Sequence, residues 1–542
     1  MSSVPSVLNE PILTYAPGSP ERAEIVQALT RLRGEQPEIP LVIGGRERST
    51  NDLREQREPH LHSRVCATWA AGGPAETAQA IDAALAARAD WSSWPVAERA
   101  AILRRAADLL AGPWRQRVNA ATMLGQGKTV REAEIDAAAE LADFWRFNCY
   151  FAEQIAESQP ISTPGVHNRM EQRGLEGFIY AVSPFNFTAI GGNLPTAPAL
   201  MGNTVVWKPS ATAMLSNWLV FQILREAGMP DGVINFVPGD PEPISEVCFD
   251  HPEFAGVHFT GSSAVFRSFF REVGNRIDRY KSYPRLVGET GGKDFVVMHS
   301  SADPQAVAVA LVRGSFEYQG QKCSAASRAY IPDTLWPEVR DRAIALVGEI
   351  RQGDPTDLST FLGAVIDERA FARLRDAIAG VKASTSARIV CGGGTDDSVG
   401  WFVEPTIVET SDPRFDTMQR ELFGPCLTVY PYPEARYAEA LELCDSTSPY
   451  ALTGSIFARD RDAIALAHAK LRHAAGNFYV NDKPTGSVVG QQPFGGGRAS
   501  GTNDKPGWSN NLARWSSPRA VKETSVSPLA IGYPHMEPDV TG

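Results

Sequence analysis

The sequence predicts an α/β fold built around a parallel, doubly wound sheet. Between residues 177 and 239, short apolar runs alternate with helix-like segments in the order strand, helix, strand, helix, strand. The predicted strands cover residues 178–182, 204–207 and 233–237. Alternation of this kind places helices on both faces of a parallel sheet and opens a ligand crevice at the carboxyl ends of its strands.

Helices dominate the part of the chain that precedes this region. Ser19, Pro20 and Glu21 supply a cap, a proline and an acid, which predicts a short helix in an N-terminal arm. Residues 74–155 are rich in alanine with apolar residues every three or four positions, so we expect core helices. The polar segment 163–173 contains a proline and a glycine, and predicts a protruding hairpin.

Two further strands, at residues 256–260 and 285–287, complete the first domain. The glycine-rich turn that begins at Glu289 then marks the boundary to a second α/β domain. We therefore expect an N-terminal arm over 1–40, a first domain over 41–160 and 175–288, a second domain over 289–500, and a small β flap with the C-terminal segment over 161–174 and 501–542.

Composition limits the classes of function. The chain has 542 residues, 43% hydrophobic and 21% charged, which excludes a largely disordered protein. A net charge of −11 argues against nucleic-acid and anionic membrane partners and favours small ligands. Seven scattered cysteines predict no disulfide framework. Without an apolar leader or a membrane-spanning run, we expect a cytoplasmic protein.

Cys323 is the candidate nucleophile. It lies in a polar loop just after a predicted helix that Asp303 caps. Only the thiolate is reactive, and a neighbouring cation raises the thiolate fraction, so Lys322 and the glycine-rich approach favour a reactive thiol. The alternative for any single cysteine is a small buried hydrophobic residue. Composition alone does not decide between the two.

Two polar residues that follow predicted strands are candidates for the same site. Glu289 lies in a loop with three glycines, where a carboxylate can reach a cavity and act as a general base. Asn186 lies between two phenylalanines, where its amide can donate to an oxyanion. A solvated turn acid and an ordinary turn asparagine are the alternatives.

Lys208 and the turn Gly261-Ser262 end two more strands, at the same predicted crevice. A lysine there can bind ribose hydroxyls, and a glycine turn can open a helix toward a pyrophosphate. The G-x-G-x-x-G pattern of many dinucleotide sites is absent. A dinucleotide site is therefore favoured by position rather than by that fingerprint.

Two other patterns only look functional. Residues 125–129 resemble a phosphate-binding loop, but Thr122 stands where the first glycine is required and no strand precedes it. His60 and His62 have no further metal ligands near them in sequence. We expect a solvated loop at the histidines and no metal site.

Seven short motifs occur along the chain in a fixed order. They are Ser-Pro-Phe-Asn-Phe (183–187), Lys-Pro-Ser (208–210), Phe-Thr-Gly-Ser (259–262), Glu-Thr-Gly-Gly-Lys (289–293), Gly-Gln-Lys-Cys-Ser (320–324), Glu-Leu-Phe-Gly-Pro (421–425) and Pro-Phe-Gly-Gly (493–496). This series resembles the aldehyde dehydrogenase superfamily over nearly the whole chain. Segments 316–323 and 475–496 resemble the branch that oxidises L-glutamate γ-semialdehyde, in equilibrium with Δ1-pyrroline-5-carboxylate, to L-glutamate.

The resemblance implies a Rossmann-like NAD-binding domain, a catalytic domain and an oligomerisation flap. It implies that Cys323 attacks the aldehyde, that Asn186 and the Cys323 N–H hold the oxyanion, and that Glu289 activates water. The NAD contacts that it implies are Ser183, Lys208, Gly261, Ser262, Ser263, Ala264, Val265, Glu421 and Phe423. The substrate contacts that it implies are Ser487, Gly486, Phe187, Phe494, Lys322 and Ser324.

Three positions leave alternatives open. Ser487 could serve only to shape a glycine-flanked turn. Phe266 replaces a glycine that many superfamily members have, so we expect an altered phosphate-binding mode. Ala211 replaces an acid, which leaves open whether NADP is rejected.

The resemblance also implies a homodimer, a possible proline dehydrogenase partner and a place in proline degradation. The alternatives are oxidation of another semialdehyde such as succinate semialdehyde, a cofactor-free thiol hydrolase or acyltransferase, and a catalytically silent scaffold. Dependence on NAD separates these classes.

Overall fold

The computed structural model describes residues 7–539, and two seven-stranded sheets form its centre. The helices are α1 Pro20–Glu35, α2 Pro74–Ser93, α3 Val96–Ala111, α4 Arg115–Gln126, α5 Val130–Ala133, α6 Glu140–Glu157, α7 Thr188–Leu200, α8 Met214–Ala227, α9 Pro241–Asp250, α10 Ser263–Asn275, α11 Pro304–Phe316, α12 Trp336–Gly348, α13 Glu368–Lys382, α14 Asp416–Gln419, α15 Tyr437–Thr447, α16 Arg461–Lys470 and α17 Ser509–Arg514. Across the described residues, no helix has both the length and the apolar content needed to cross a membrane.

The strands are short and mostly buried. They are β1 Glu38–Ile39, β2 Leu41–Ile43, β3 Arg46–Arg48, β4 Leu53–Glu58, β5 Leu61–Ala70, β6 Val166–Arg173, β7 Phe178–Val182, β8 Thr204–Lys208, β9 Ile234–Phe236, β10 Phe254–Thr260, β11 Arg285–Glu289, β12 Asp294–Met298, β13 Ala326–Pro332, β14 Ala387–Cys391, β15 Thr395–Asp396, β16 Phe402–Val403, β17 Thr406–Thr410, β18 Cys426–Tyr432, β19 Tyr450–Ala451, β20 Thr453–Phe457, β21 Asn477–Val480, β22 Gly497–Arg498 and β23 Ser517–Thr524.

The first sheet has the strand order β11-β10-β7-β8-β9-β2-β3. Its strands from β11 to β9 are parallel, which confirms the predicted fold class. Val182 pairs with both Lys208 and Phe259, and Thr260 pairs with Glu289. This register brings the carboxyl ends of four strands to one edge, where the predicted site residues lie.

The second sheet has the order β14-β17-β18-β13-β12-β20-β21 and is parallel except at β14. Helices α11 and α12 pack with it in one apolar cluster, and α15 and α16 pack in another. Because both faces are covered, strands such as β12 and β20 are buried along their whole length.

The flap is a two-stranded antiparallel ladder of β6 and β23, from Val166 opposite Thr524 to Arg173 opposite Ser517. The hairpin expected over 163–173 is therefore wrong. That segment is one strand, and its partner comes from the C-terminal part of the chain. Local sequence indicates a strand here, but a partner so distant leaves no local signal.

The helices before the first sheet pack as a core, and α1 begins where Ser19 Oγ accepts from the Arg22 N–H at 3.3 Å. Beside α1, the His60 ring is buried, not solvated as expected. Its Nε2 lies 3.0 Å from a carboxylate oxygen of Glu58, which in turn pairs with Arg33 at 2.9 Å. The expectation was wrong because the charged partners that bury this ring come from separate elements.

Candidate functional site

A cavity of about 830 Å³ lies where the carboxyl edge of the first sheet faces the second domain. Its lining includes Asn186, the turn Gly261-Ser262 and, from the second domain, Cys323 and Glu421. A volume of this size suits a small-molecule or cofactor site. The cavity therefore brings together residues that the sequence places far apart.

A left-handed turn at the end of α11 directs Cys323 into the cavity. Tyr318 and Gln319 have φ values of 52° and 54°, and Gly320 follows at 64°. Left-handed backbone is unfavourable for residues with a side chain, so contacts from the surroundings must hold this turn. A Cβ on Gly320 would lie 2.3 Å from the Gly424 carbonyl oxygen, which only glycine avoids.

Those contacts come from two distant segments. Gln319 Nε2 donates to the carbonyls of Gly127 at 3.0 Å and Ala364 at 2.9 Å, and its Oε1 accepts from a backbone N–H at 3.0 Å. The Tyr318 hydroxyl donates to the Gln126 carbonyl at 3.0 Å. The buried amide of Gln319 thus has its main hydrogen bonds satisfied, which fixes the backbone before the thiol.

Residues 125–129, which look like a phosphate loop, have this supporting role instead. The segment joins α4 to α5, and Gly127 is left-handed at φ 72°. Lys128 is fully buried and pairs with Asp136 at 2.5 Å. The lysine therefore has an internal carboxylate as its partner. The carbonyls of this segment accept hydrogen bonds from the turn that precedes Cys323.

The surroundings of the thiol are acidic. Of the seven free cysteines, only Cys323 and Cys391 are partly exposed. Burial, and then the carboxylates of Asp294 and Glu421, raise the pKa of the Cys323 thiol well above its ordinary value. The cation expected beside it, Lys322, pairs instead with carboxylates on other elements. The resting thiol is therefore protonated at neutral pH.

Glu289 is the last residue of β11 and is 7% exposed. Burial raises its pKa well above the ordinary value, and the Lys505 ammonium opposes this shift. Its Oε2 has no hydrogen-bond partner, while a Cβ on Gly495 would lie 3.0 Å from Oε1. A buried carboxylate with a free oxygen and a raised pKa suits a general base.

Asn186 lies between β7 and α7 and is buried. Its Nδ2 donates one hydrogen to the Gln321 carbonyl at 3.0 Å. The other amide hydrogen is left for the cavity that Asn186 and Cys323 both line. The same bond therefore orients the amide and ties the two domains together beside the thiol.

Some of the cofactor residues predicted at the first sheet line the cavity, and others do not. Gly261, Ser262 and Val265 line it, and Ser262 Oγ accepts from the Val265 N–H at 3.3 Å, capping the 13-residue helix α10. Ser263 Oγ instead donates to Thr290 Oγ1 at 3.0 Å. Ala264 is not among the lining residues. The helix N-terminus is the group that can bind phosphate here.

Ser183 and Lys208 end two adjacent strands. Ser183 lines the cavity, but its Oγ accepts from Trp207 Nε1 at 2.6 Å and donates to the Gly191 carbonyl at 3.2 Å. Burial lowers the pKa of Lys208 to about 8. A nearby polar ligand would relieve the desolvation of this ammonium.

Glu421 and Phe423 form the opposite wall. Glu421 Oε1 accepts from the Gly292 N–H at 2.9 Å, and burial raises its pKa to about 7. A Cβ on Gly291 would lie 2.2 Å from the Glu421 carboxylate, so the glycine turn permits this approach. Phe423 is left-handed at φ 54° and contacts Phe185 across the cavity edge.

Phe266, the departure from the family pattern, has a packing role. Its ring stacks on Phe259 with centroids 5.5 Å apart and fills the space beside Gly288, where a Cβ would lie 2.3 Å from the ring. The phenylalanine therefore supports the start of α10 by apolar contact. A glycine at this position would leave a cavity.

The expected substrate loop lies next to Cys323. Ser324 Oγ shares a hydrogen bond of 2.8 Å with Thr485 Oγ1, and Lys483 Nζ pairs with Glu317 at 3.0 Å. Gly486 is left-handed at φ 95° and exposed, whereas Ser487 is half-buried. The structure thus brings Gly486 and Ser487 close to the residue that follows Cys323.

Phe187 and Phe494 are both half-buried. The Lys128 ammonium lies 4.2 Å from the centre of the Phe187 ring and 3.7 Å from that of Tyr318. These cation–π contacts hold the Phe187 ring from behind. No contact in the described chain assigns a comparable support to Phe494.

Sequence reasoning missed a buried group of acids behind Lys322. Lys322 Nζ lies 3.9 Å from Asp136 and 3.7 Å from Glu317. Burial acts to lower the pKa of Lys322, but these carboxylates outweigh it and raise that pKa. Glu140 is half-buried, and its buried Oε2 has no hydrogen-bond partner among the described residues. The signal available in sequence was three acids at four-residue spacing, 132, 136 and 140, on helical segments.

Known proteins resemble this chain in both sequence and structure. The model of the aldehyde dehydrogenase family matches residues 46–521. The chain is 52% identical over 532 residues to the mitochondrial delta-1-pyrroline-5-carboxylate dehydrogenase of Bos taurus, covering 98% of this chain and 94% of that one. The Homo sapiens relative of the same name is 50% identical, with 98% and 94% covered. The crystal structure of the delta-pyrroline-5-carboxylate dehydrogenase from Mycobacterium tuberculosis bound with NAD has a TM-score of 0.95, 53% identity and 99% of each chain covered.

Proposed function

The chain belongs to the aldehyde dehydrogenase family, and we propose that it uses NAD to oxidise L-glutamate γ-semialdehyde to L-glutamate. This reaction is the second step of proline degradation. The resemblance found in the sequence is confirmed, and succinate semialdehyde is not favoured as the substrate. The observation that carries the substrate assignment is the identity of about 50% to relatives named delta-1-pyrroline-5-carboxylate dehydrogenase over nearly the whole chain. The hydrogen bond between Ser324 and Thr485 supports it by placing the Gly486-Ser487 loop close to Cys323.

The first covalent step belongs to Cys323. After its thiol gives its proton to water, the sulfur attacks the aldehyde carbon, and a C–S bond forms as the carbonyl π electrons move to oxygen. The free amide hydrogen of Asn186 and the Cys323 N–H donate to the resulting oxyanion. Because Asn186 is already held by the Gln321 carbonyl, this donor needs little reorganisation.

When bound, NAD would supply the hydride acceptor. Loss of hydride from the thiohemiacetal carbon leaves a thioester on Cys323. Glu289 then takes a proton from water, the water oxygen attacks the thioester carbon, and the C–S bond breaks to release the acid. Glu289 must be ionised for this step. The Lys505 ammonium favours the ionised form against the effect of burial.

The residues present fit a dinucleotide. The capped N-terminus of α10 at Ser262 offers backbone donors for a diphosphate, and Phe249 and Phe269 give an apolar wall. Gly291 leaves the space in which the Glu421 carboxylate stands at the cavity edge. We infer that Glu421 receives a ribose hydroxyl and that Lys208 binds the other ribose.

We also infer a cytoplasmic homodimer that associates through the flap. The ladder of β6 and β23 has two free edges, and most residues of β23 are exposed. The Bos taurus and Homo sapiens relatives are named mitochondrial, so fractionation of the native host is the check on location. A proline dehydrogenase as partner stays a prediction.

Initial rates of NADH formation by the purified protein test the function. Δ1-pyrroline-5-carboxylate, succinate semialdehyde and propanal are compared at matched NAD, and then at matched NADP. We expect the highest kcat/KM with Δ1-pyrroline-5-carboxylate and NAD. A higher value for succinate semialdehyde would overturn the substrate, and ester hydrolysis at full rate without NAD would favour the thiol hydrolase.

A further inference from the structure

The N-terminal segment 7–15 lies across the helices behind the substrate loop. The Leu13 N–H donates to Glu134 Oε1 at 2.8 Å, and the Tyr15 hydroxyl donates to Glu134 Oε2 at 2.8 Å. Glu10 pairs with Arg115 at 2.6 Å and with Arg146 at 2.5 Å. The segment is therefore fixed at several points by charged hydrogen bonds, which are stronger than neutral ones.

Asn9 joins this segment to the substrate loop. Its Nδ2 donates to Asp143 Oδ2 at 2.8 Å and to the Val489 carbonyl at 2.8 Å. Its Oδ1 accepts from Gln491 Nε2 at 2.9 Å. One amide side chain therefore holds the residues just after Ser487 with one hydrogen and its oxygen, and its other hydrogen bonds Asp143 of α6.

Helix α6 supplies the other side of this attachment. Asp143 on α6 also accepts from the Glu10 N–H at 2.7 Å. A Cβ on Gly490 would lie 2.1 Å from the Phe147 ring, so the loop backbone lies directly on α6. Val489 is buried between these contacts at 7% exposure. The loop is held between α6 and Asn9.

The loop has few other attachments on the side of Ser487. Gly486 and Val488 are exposed, and Val488 is tied only locally, its N–H donating to Gln492 Oε1 at 3.0 Å. The contacts of Thr485 and Lys483 hold the opposite end of the loop. Further along, Asn477 Nδ2 of β21 donates to the Pro493 carbonyl at 3.1 Å. Asn9 thus supports the stretch between Ser487 and Gln492.

We propose that Asn9 is a positioning residue for substrate selection, which holds the Gly486-Ser487 loop in place to receive the α-carboxylate of the aldehyde. The inference rests on the proposed function, because it needs a substrate that bears this carboxylate. The N-terminal segment is then part of the specificity apparatus, although it lies outside both sheets.

Asn9→Ala tests this role. We expect about a ten-fold rise in KM for Δ1-pyrroline-5-carboxylate, with kcat for that substrate, kcat/KM for propanal and KM for NAD within two-fold of wild type. Propanal has no carboxylate and so does not use the loop. Leu8→Ala is the matched control, because Leu8 is 78% exposed beside Asn9 and should leave every parameter unchanged.

Gln491→Ala provides a second variant that removes only an exposed partner of Asn9. We expect about a three-fold rise in the same KM, and a double variant whose rise is smaller than the product of the two, because both bonds meet at Asn9. Equal losses with propanal and with Δ1-pyrroline-5-carboxylate, or an unchanged KM in Asn9→Ala, would overturn the proposal. A wild-type enzyme without preference for Δ1-pyrroline-5-carboxylate would instead refute the proposed function.

Discussion

The turn before the nucleophile and the loop expected to bind the substrate carboxylate are neighbours, yet they are held very differently. Tyr318 and Gln319 are fully buried, and Gln319 alone has three hydrogen bonds to backbone groups of two other segments. Gly486 is exposed, and the ends of its loop are held by Thr485 on one side and Asn9 on the other.

The difference separates the two tasks of the site. A nucleophile must be placed within a fraction of an ångström, and a buried, fully bonded turn does this at the cost of left-handed backbone. Recognition of a substrate's far end needs less precision and suits an exposed loop. Changes in the turn should therefore impair every aldehyde, whereas changes in the loop should impair only those that carry the α-carboxylate.

Removal of the thiol should have the largest effect. Cys323→Ala should lower kcat by about 10⁴-fold or more for every aldehyde, because no covalent adduct can form. NAD affinity, measured by fluorescence titration, should stay within two-fold of wild type because the Gly261 turn is intact. Turnover near that of wild type would remove Cys323 as the nucleophile.

Loss of the general base should have the next largest effect on kcat. Glu289→Gln should lower steady-state kcat by about 10²–10⁴-fold and leave a burst of NADH, because the thioester forms but is hydrolysed slowly. Stopped-flow absorbance at 340 nm, about the NADH maximum, separates the two phases. An unchanged steady state would contradict the role of Glu289.

The pH dependence of kcat, compared between wild type and Glu289→Gln, tests the assignment of Glu289 further. The raised pKa values of Cys323 and Glu289 mean that their reactive, deprotonated forms increase as pH rises. Wild-type kcat should therefore rise toward alkaline pH, by up to about ten-fold per pH unit below the controlling pKa. In Glu289→Gln the part of this slope that belongs to hydrolysis should disappear.

Loosening the turn should affect all substrates alike. Gln319→Ala should lower kcat by about 100-fold with both Δ1-pyrroline-5-carboxylate and propanal, since a shift of about 1 Å in the reacting group has this effect. Gln27→Ala, at an exposed position of α1, is the control. A loss confined to Δ1-pyrroline-5-carboxylate would refute the division of tasks.

Changing the loop should have the smallest and most selective effect. Ser487→Ala should raise KM for Δ1-pyrroline-5-carboxylate about five-fold, the cost of one hydrogen bond to a carboxylate, and leave propanal unchanged. Steady-state kinetics with both aldehydes is the measurement. An unchanged KM would support the alternative that Ser487 only shapes its turn.

Three features could be predicted from the amino-acid sequence: the parallel sheet, the strand ends that carry Glu289 and Lys208, and, through the short motifs, the family. These features are local: apolar periodicity, caps and short motifs record the contacts of a residue with its near neighbours. They are also the features that the structure and the comparisons confirm most directly.

Tertiary structure alone decided the partners of distant segments. It paired β6 with β23 where a hairpin was expected, placed Arg33 and Asp354 against the buried His60 ring, and turned Lys322 toward Asp136. The carbonyls of residues 126 and 127 became supports for the nucleophile's turn. Burial and charge depend on groups far away in the chain, so the raised pKa values of the site and the attachment of its substrate loop had no local signal to reveal them.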